Sequence, residues 1–569
     1  MYTRKIADTR RVVTDKGPAV HRAHLVGPHT ILNHFLDRME FSRIVRSCLG
    51  THNRGILDHA KTLSIFIQNI ILSPAPLYRI AEWAKPIDPD ALELTDKEKQ
   101  ALNDDRVARS LDVLVSNRAK TLYFRLALHI IQQFELDTRR IHHDTTTVTF
   151  SGLYSKSTSK PRITRGINKD HRPDLKQLVF GLNVTADGAV PISHDIYNGN
   201  RTDDTIHRGN VDGLRQLLRR TDFIYVADSK LATKKNLAHV AKYGGKFVTV
   251  LPRTRIEDKH FRKSLREGAA VRWRKLIEIE NPRNKTGPPD VYQCTADGPG
   301  QTSDGYRIVW IRSSQKMAID ALARETSLEK AEADLFDLNS RLNLRNLRQP
   351  AAIQKKVKEI LTKYKCRRFL KVRVASKVLV ETKRLRRGRP KKDDPVKHIR
   401  KPFYFLEVKR RKDSLQADSR TDGVFPLVTN LLPSEAPKKE VLLIYKYQPY
   451  VEKRHALFKN ELDVSPVYIK KPMRAVGLIH AVFLAMTLDA LIERTVRLGM
   501  IREGVKTLPI LPEGRETRTP TTARILEMFS DVRWYEFERG EEIVTFPIQL
   551  SPLQKELLCL LGMSTSAYS

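Results

Sequence analysis

The chain has 569 residues, with 102 lysines and arginines against 65 aspartates and glutamates, a net charge of +37 and a pI near 10.0. The length calls for several domains. The charge points to a polyanion rather than a membrane surface, since no lipid anchor or amphipathic tail accompanies it.

The four cysteines (Cys48, Cys294, Cys366 and Cys559) fit no disulfide or zinc spacing and read as thiols of a reducing cytosol. The first sixteen residues are charged throughout, unlike a signal peptide. The expected location is therefore the cytoplasm, at the nucleoid when DNA is bound.

Residues 1–138 carry apolar residues at helical spacing over 31–41, 56–72 and 122–134, and Asn103-Asp104-Asp105 offers a cap to a segment starting near Arg106. This predicts a helical N-terminal domain whose basic content suits DNA. At Arg140 the period changes. Arg140–Phe150 is rich in β-branched residues and reads as a strand with one acid, Asp144, in its middle.

Residues 177–185 and 190–197 form a predicted hairpin about Asp187-Gly188. Residues 202–218 read as a helix. The short apolar run 223–227 is a buried parallel strand ending at Asp228, and a helix over 234–243 and a strand over 246–251 follow. A three-strand meander, helix, strand, helix, strand is the order of a ribonuclease H-like fold. The first part of that core spans 139–252.

Residues 253–439 break the pattern with mixed strands and long charged helices, and read as a large mixed α/β insertion. The core resumes over 440–510, and a tail occupies 511–569. The most apolar run, 475–492, is interrupted by His480 and Asp489, so it reads as a core helix and not a membrane span. The fold class expected is α/β, an interrupted ribonuclease H-like core behind a helical domain.

A carboxylate in a strand needs a partner, because desolvating it alone is costly. Asp144, Asp228 and Glu452 brought to one sheet face would make a site for hard divalent cations. Phosphodiester chemistry uses two such ions, about 4 Å apart, with Mg²⁺ (or Mn²⁺) retaining part of its water. Residues 441–460 read as helical, and Tyr445, Glu452 and Lys459 recur at seven-residue steps, which puts all three along one helix face.

Here the chain resembles the DDE transposases of bacterial insertion sequences, the IS-four-like group with a Tyr-x2-Arg-x3-Glu-x6-Lys signature. Tyr445, Glu452 and Lys459 match it, and Gln448 stands where the signature has arginine. The stretch from Gly166 through Asn168-Lys169-Asp170 to Gln177 is similar to the loop before the second strand of such enzymes. So are Tyr197-Asn198-Gly199-Asn200 with Asp203, and residues 223–230.

The resemblance covers about 100–495. It implies a metal-dependent cut-and-paste enzyme with Asp144, Asp228 and Glu452 as catalytic metal ligands. It also implies a homodimer on terminal inverted repeats and target DNA, with Tyr445, Gln448 and Lys459 as DNA contacts.

His142 and His143 are adjacent in a strand, so they point to opposite faces and do not ligate one ion together. Asp170 and Asp174 read as loop acids. Arg387-Gly388-Arg389-Pro390, within the basic run 383–392, matches the AT-hook, which lays Arg387 and Arg389 in an A·T minor groove; the alternative is a solvated loop. Two other functions stay open: a DNA-binding protein that has kept the fold without transposition, and a nuclease without strand transfer.

Overall fold

The structure, a computed structural model, describes residues 20–50, 56–74, 76–152, 154, 161–170, 172–280, 287–344, 346–385, 396–461, 469, 471–539 and 542–568. The protein is mixed α/β. It divides into two compact units, one formed by Met1–Thr249 with Leu443–Ser569 and one by Val250–Leu442.

The first unit opens on strand β1 (Val20–Leu25), which pairs antiparallel with Arg533–Arg539 of the tail. The stretch expected to be wholly helical thus begins with a strand. Its partner lies at the other end of the chain, out of reach of local periodicity. Helices follow, among them His59–Leu72, Asp104–Val113 and Ala119–Gln133. Asn103 caps the second of these, accepting the Arg106 N–H at 2.9 Å.

The sheet of this unit begins with β2 (Arg140–Phe150), β3 (Lys176–Thr185) and β4 (Pro191–Asn198), an antiparallel meander. Strands β5 (Ile224–Val226) and β6 (Lys246–Val250) add in parallel on the other side of β2. The order is β4-β3-β2-β5-β6. Helices His207–Leu218 and Lys234–Ala241 make the crossovers. In the central strand β2 every residue is buried except Arg140 and Asp144.

Helix Pro472–Arg502 is long and apolar enough to cross a membrane, with a mean hydropathy of 2.0 in its most apolar window. Yet 89% of that window is buried within the protein. It is a core helix, hydrophobic all round because protein surrounds it.

In the second unit, strands β7 (Arg274–Ile279), β8 (Asp290–Thr295), β9 (Arg307–Ser313) and the later Val424–Thr429 form a sheet. Helices Ser314–Ser340 and Pro350–Lys363 carry the base of a long hairpin made of β10 (Leu370–Arg384) and β11 (Val396–Arg410). Leu328, Leu335, Ile353 and Leu370 are the centre of that small core, with Val372, Val374, Tyr404, Leu406 and Val408 packed on it.

Candidate active site

The parallel pairing of β2 with β5 sets His142 beside Val226. Two residues further along both segments stand Asp144 and Asp228, so one register carries both acids to the same end of the sheet. Asp144 accepts the N–H of Thr145 at 2.8 Å, and Asp228 accepts that of Lys230 at 2.9 Å.

Burial raises both carboxyls. Asp228 is pushed up to about 6, with the charges of Asp144 and Asp203 adding to the burial effect. The two acids therefore feel each other electrostatically.

Asp203 and Lys169 complete this end of the sheet. The Thr145 hydroxyl donates to Asp203 at 2.8 Å. The Lys169 ammonium donates to the Thr145 carbonyl and hydroxyl at 2.5 and 2.7 Å, and lies 3.8 Å from Asp144 and 3.4 Å from Asp203.

The loop that delivers Lys169 is pinned by Gln177, whose amide donates to the Gly199 carbonyl at 2.8 Å and accepts from Asn168 at 2.8 Å. A Cβ on Gly166 would sit 2.1 Å from the Gly199 oxygen, and one on Gly199 would sit 2.0 Å from the Gln177 oxygen. Both positions demand glycine because backbones meet there. The two loop motifs noticed in the sequence are thus one packed unit, and its product is the placement of Lys169.

Glu452 comes from helix Gln448–Ala456 and is exposed. The single helix expected over 441–460 is instead three segments: Lys438–Lys446, Gln448–Ala456 and a π-helical turn at Leu457–Glu461. Pro449 has no N–H to continue the first segment's ladder and sits in the first turn of the second.

Tyr445, half-buried, is still held near the acids. Burial raises its phenol first, and the charges of Asp228, Glu452 and Asp144 all raise it further. Tyr445 thus lies within electrostatic range of all three carboxylates.

Gln448 corrects an expectation. Its side chain is 5% exposed. Its amide donates to the His143 carbonyl at 2.8 Å, and its oxygen lies 3.1 Å from His142 Nδ1. It joins the Glu452 helix to β2 and does not face a DNA phosphate.

Lys459 binds Asp170 at 2.6 Å, so this loop acid has a lysine partner, while Asp174 pairs with Arg172. Arg387 and Arg389 lie outside the described residues. His142 faces Gln448, whereas His143 turns to Asn183, 3.0 Å away, in keeping with opposite faces of the strand. Burial lowers His142 to about 4 and His143 to about 3, so both are neutral.

Several contributors escaped sequence reasoning. His455, one turn beyond Glu452, is buried with Nε2 3.9 Å from Asp144, and burial lowers it to about 3. The signal for it was the three-residue step from Glu452, which shares a helix face.

Arg454 is buried and donates to Asp489 and Glu493 at 2.8 and 2.9 Å and to the Ala189 and Gly188 carbonyls at 3.0 and 3.1 Å. It fastens the Glu452 helix to both the long core helix and the hairpin turn. No local pattern announces such a contact.

Among the described residues no group of three His, Cys, Asp or Glu is gathered closely enough to hold a metal ion. The three-carboxylate cage is therefore not closed around one point. The donors still suit magnesium or manganese. Asp144 and Asp228 are hard oxygen ligands that raise each other's affinity for positive charge, and Mg²⁺ binds through one or two carboxylates with water filling its shell.

Residues 23–128 match the family model described as a domain of unknown function (DUF4277). No curated protein matches the chain. Among solved structures, the cryo-EM structure of a piggyBac transposase synaptic complex with hairpin DNA is similar at 9% identity and a TM-score of 0.22, over 83% of this chain and 76% of that one.

Proposed function

We propose that the protein is a DNA transposase that cuts and joins DNA at a divalent-metal carboxylate site, working as a homodimer on the ends of its own element. The observation that carries this reading is the shared register of β2 and β5, which brings Asp144 and Asp228 to the same end of the sheet. The order β4-β3-β2-β5-β6, with acids on the central strand and just past its parallel neighbour, is that of a ribonuclease H-like core and supports the same reading. The charge of +37 favours a nucleic-acid substrate.

Asp144 and Asp228, with Glu452 alongside, would hold Mg²⁺ or Mn²⁺, which would supply activation of the attacking oxygen and stabilisation of the leaving one. The chain's own groups orient that site. Lys169 holds Asp144 and Asp203, Gln448 ties the Glu452 helix to β2, and neutral His455 fills the space beside Asp144.

The test is cleavage and joining of DNA carrying the element ends, in Mg²⁺, by the wild type and by Asp144→Asn, Asp228→Asn and Glu452→Gln. Each variant is expected to lose at least about 100-fold in cleavage, about 3 kcal/mol of barrier, with DNA affinity kept. Near wild-type cleavage by one variant would remove that residue from the site. Cleavage without joining by the wild type would leave a nuclease, and binding without cleavage would leave a DNA-binding protein.

A further inference from the structure

The β10–β11 hairpin is far longer than the core that supports it. Its base packs on the helices of the second unit through Val372, Val374, Leu406 and Val408. Beyond that, from residue 376 to 383 and from 396 to 403, every side chain except Ile399 is exposed. The exposed part includes Val378 at 65%, Val380 at 57% and Val396 at 45%.

A two-stranded ribbon with neither face covered is marginal in water. Its register is nonetheless continuous from Leu370↔Arg410 to Arg384↔Val396. Such a segment is built to lie against something.

We infer that the distal half of this ribbon is a DNA-binding arm that lies in a groove of duplex DNA. The inference rests on the reading of the protein as a DNA enzyme.

Charge is the first argument. The distal half carries Lys377, Lys383, Lys397, Arg400 and Lys401 against the single acid Glu381, and Lys401 already pairs with that acid. The second is shape. The major groove admits a two-stranded ribbon. The nine residues from 376 to 384 span about 30 Å, close to the roughly 34 Å of one helical turn.

The third argument is chemistry. Residues opposite one another share a face, so Lys377, Lys383, Lys397 and Lys401 lie on one face beside Leu379, Glu381, Ile399 and Phe403, while Arg400 and Thr382 share the other with Val378 and Val380. One face suits phosphates. The other mixes donors with methyl groups, the combination that reads base edges and thymine methyls. A second copy of the chain adding a strand to the ribbon is disfavoured, because lysines and Pro402 along an edge block strand addition.

The experiment measures binding of the full chain to a 50-base-pair duplex across salt concentrations. It compares the wild type with two variants. One has Lys377, Lys383, Lys397, Arg400 and Lys401 replaced by Gln; the other has the ribbon shortened by joining Ser376 to Tyr404 through a two-residue turn.

Both variants should bind at least about tenfold more weakly at 150 mM salt. The Gln variant should lose about 2–4 from the log–log salt slope, at about 0.9 per phosphate contact. Unchanged affinity and slope in both would overturn the inference. So would loss of self-association, read by light scattering, with DNA affinity intact, since a second copy would then be the occupant.

Metal-dependent cleavage by the wild type is read in parallel. If it cleaves while the variants bind normally, the arm alone fails. If it does not cleave but the variants lose affinity, the transposase reading fails and the arm stands.

Discussion

The amide of Gln448 donates to the carbonyl of His143, the residue just before Asp144, at 2.8 Å. A residue four places ahead of Glu452 thereby sets the distance between the Glu452 helix and the strand of Asp144. Replacing Gln448 by Ala removes this bond and leaves His142 Nδ1 without its partner. The expected loss is about 1–2 kcal/mol of stability, read from the denaturant midpoint, together with slower cleavage. An unchanged midpoint would mean that the helix is held elsewhere. Gln448→Arg should be worse, because a buried position would take a charge with no acid bonded there.

The second prediction concerns metal and pH. The Asp228 carboxyl sits near 6 in the folded chain, above its unfolded value of about 3.9. The raised value means that the charged form disfavours the folded state at pH 7–8, and that this penalty eases as pH falls through 6. A divalent cation relieves the same penalty by binding the charged form. Millimolar Mg²⁺ should therefore raise Tm by a few degrees at pH 8 and by less at pH 6. The shift should vanish in Asp228→Asn. An equal shift at both pH values, or one that survives in Asp228→Asn, would place the ion elsewhere.

Acid should also unfold the protein early. Burial lowers His142 and His207 to about 4 and His143, His455 and His480 to about 3. Each folded value lies below the unfolded one of about 6.5, so the unfolded chain takes up more protons below pH 6.5. Stability is full above that pH and falls as pH drops toward 4. Each histidine contributes up to about 1.4 kcal/mol per pH unit over that window. The denaturant midpoint should drop clearly between pH 7.5 and pH 5.5. A midpoint that rose instead would show that relief of the raised acids outweighs the histidines.

Lys169 supplies the fourth prediction. Its ammonium stands 3.8 Å from Asp144 and 3.4 Å from Asp203, where it competes with any divalent cation and also holds both acids in place. Lys169→Ala should lower the Mg²⁺ concentration that gives half the thermal shift, yet slow cleavage by about tenfold or more. Lys169→Arg should recover part of the rate. If metal affinity and rate fell together, the lysine would be aiding the metal rather than competing with it.

Strands β2 to β6 were legible because their signals are local. Arg140–Phe150 is β-branched, and the apolar run before Asp228 is short and continuous. Asp144 stood out for the same reason, as an acid in such a strand.

The rest of the site is tertiary. Lys169 reaches Asp203, Gln448 reaches His143, and Arg454 reaches the turn at Gly188, each across stretches that share no period. The broken helix about Pro449 was misread because seven-residue spacing survives a kink. The ribbon was legible only in part, as strands over 369–380 and 403–408, since the rest of its distal half buries nothing and leaves no apolar alternation to detect.

The first unit is assembled from two separated stretches, Met1–Thr249 and Leu443–Ser569. On the ribosome this becomes a matter of timing. Asp144 and Asp228 are synthesised first, and Glu452 follows 224 residues after Asp228 (452 − 228). At about 5–20 residues per second, the interval is roughly 10–45 s. During it, β2 lacks the Gln448 clamp and the turn at Gly188 lacks its Arg454 anchor. A nascent chain therefore carries two of its acids with no means of completing the third side of the site. The three acids can come together only once Val250–Leu442 has been made and the stretch from Leu443 has joined the first unit.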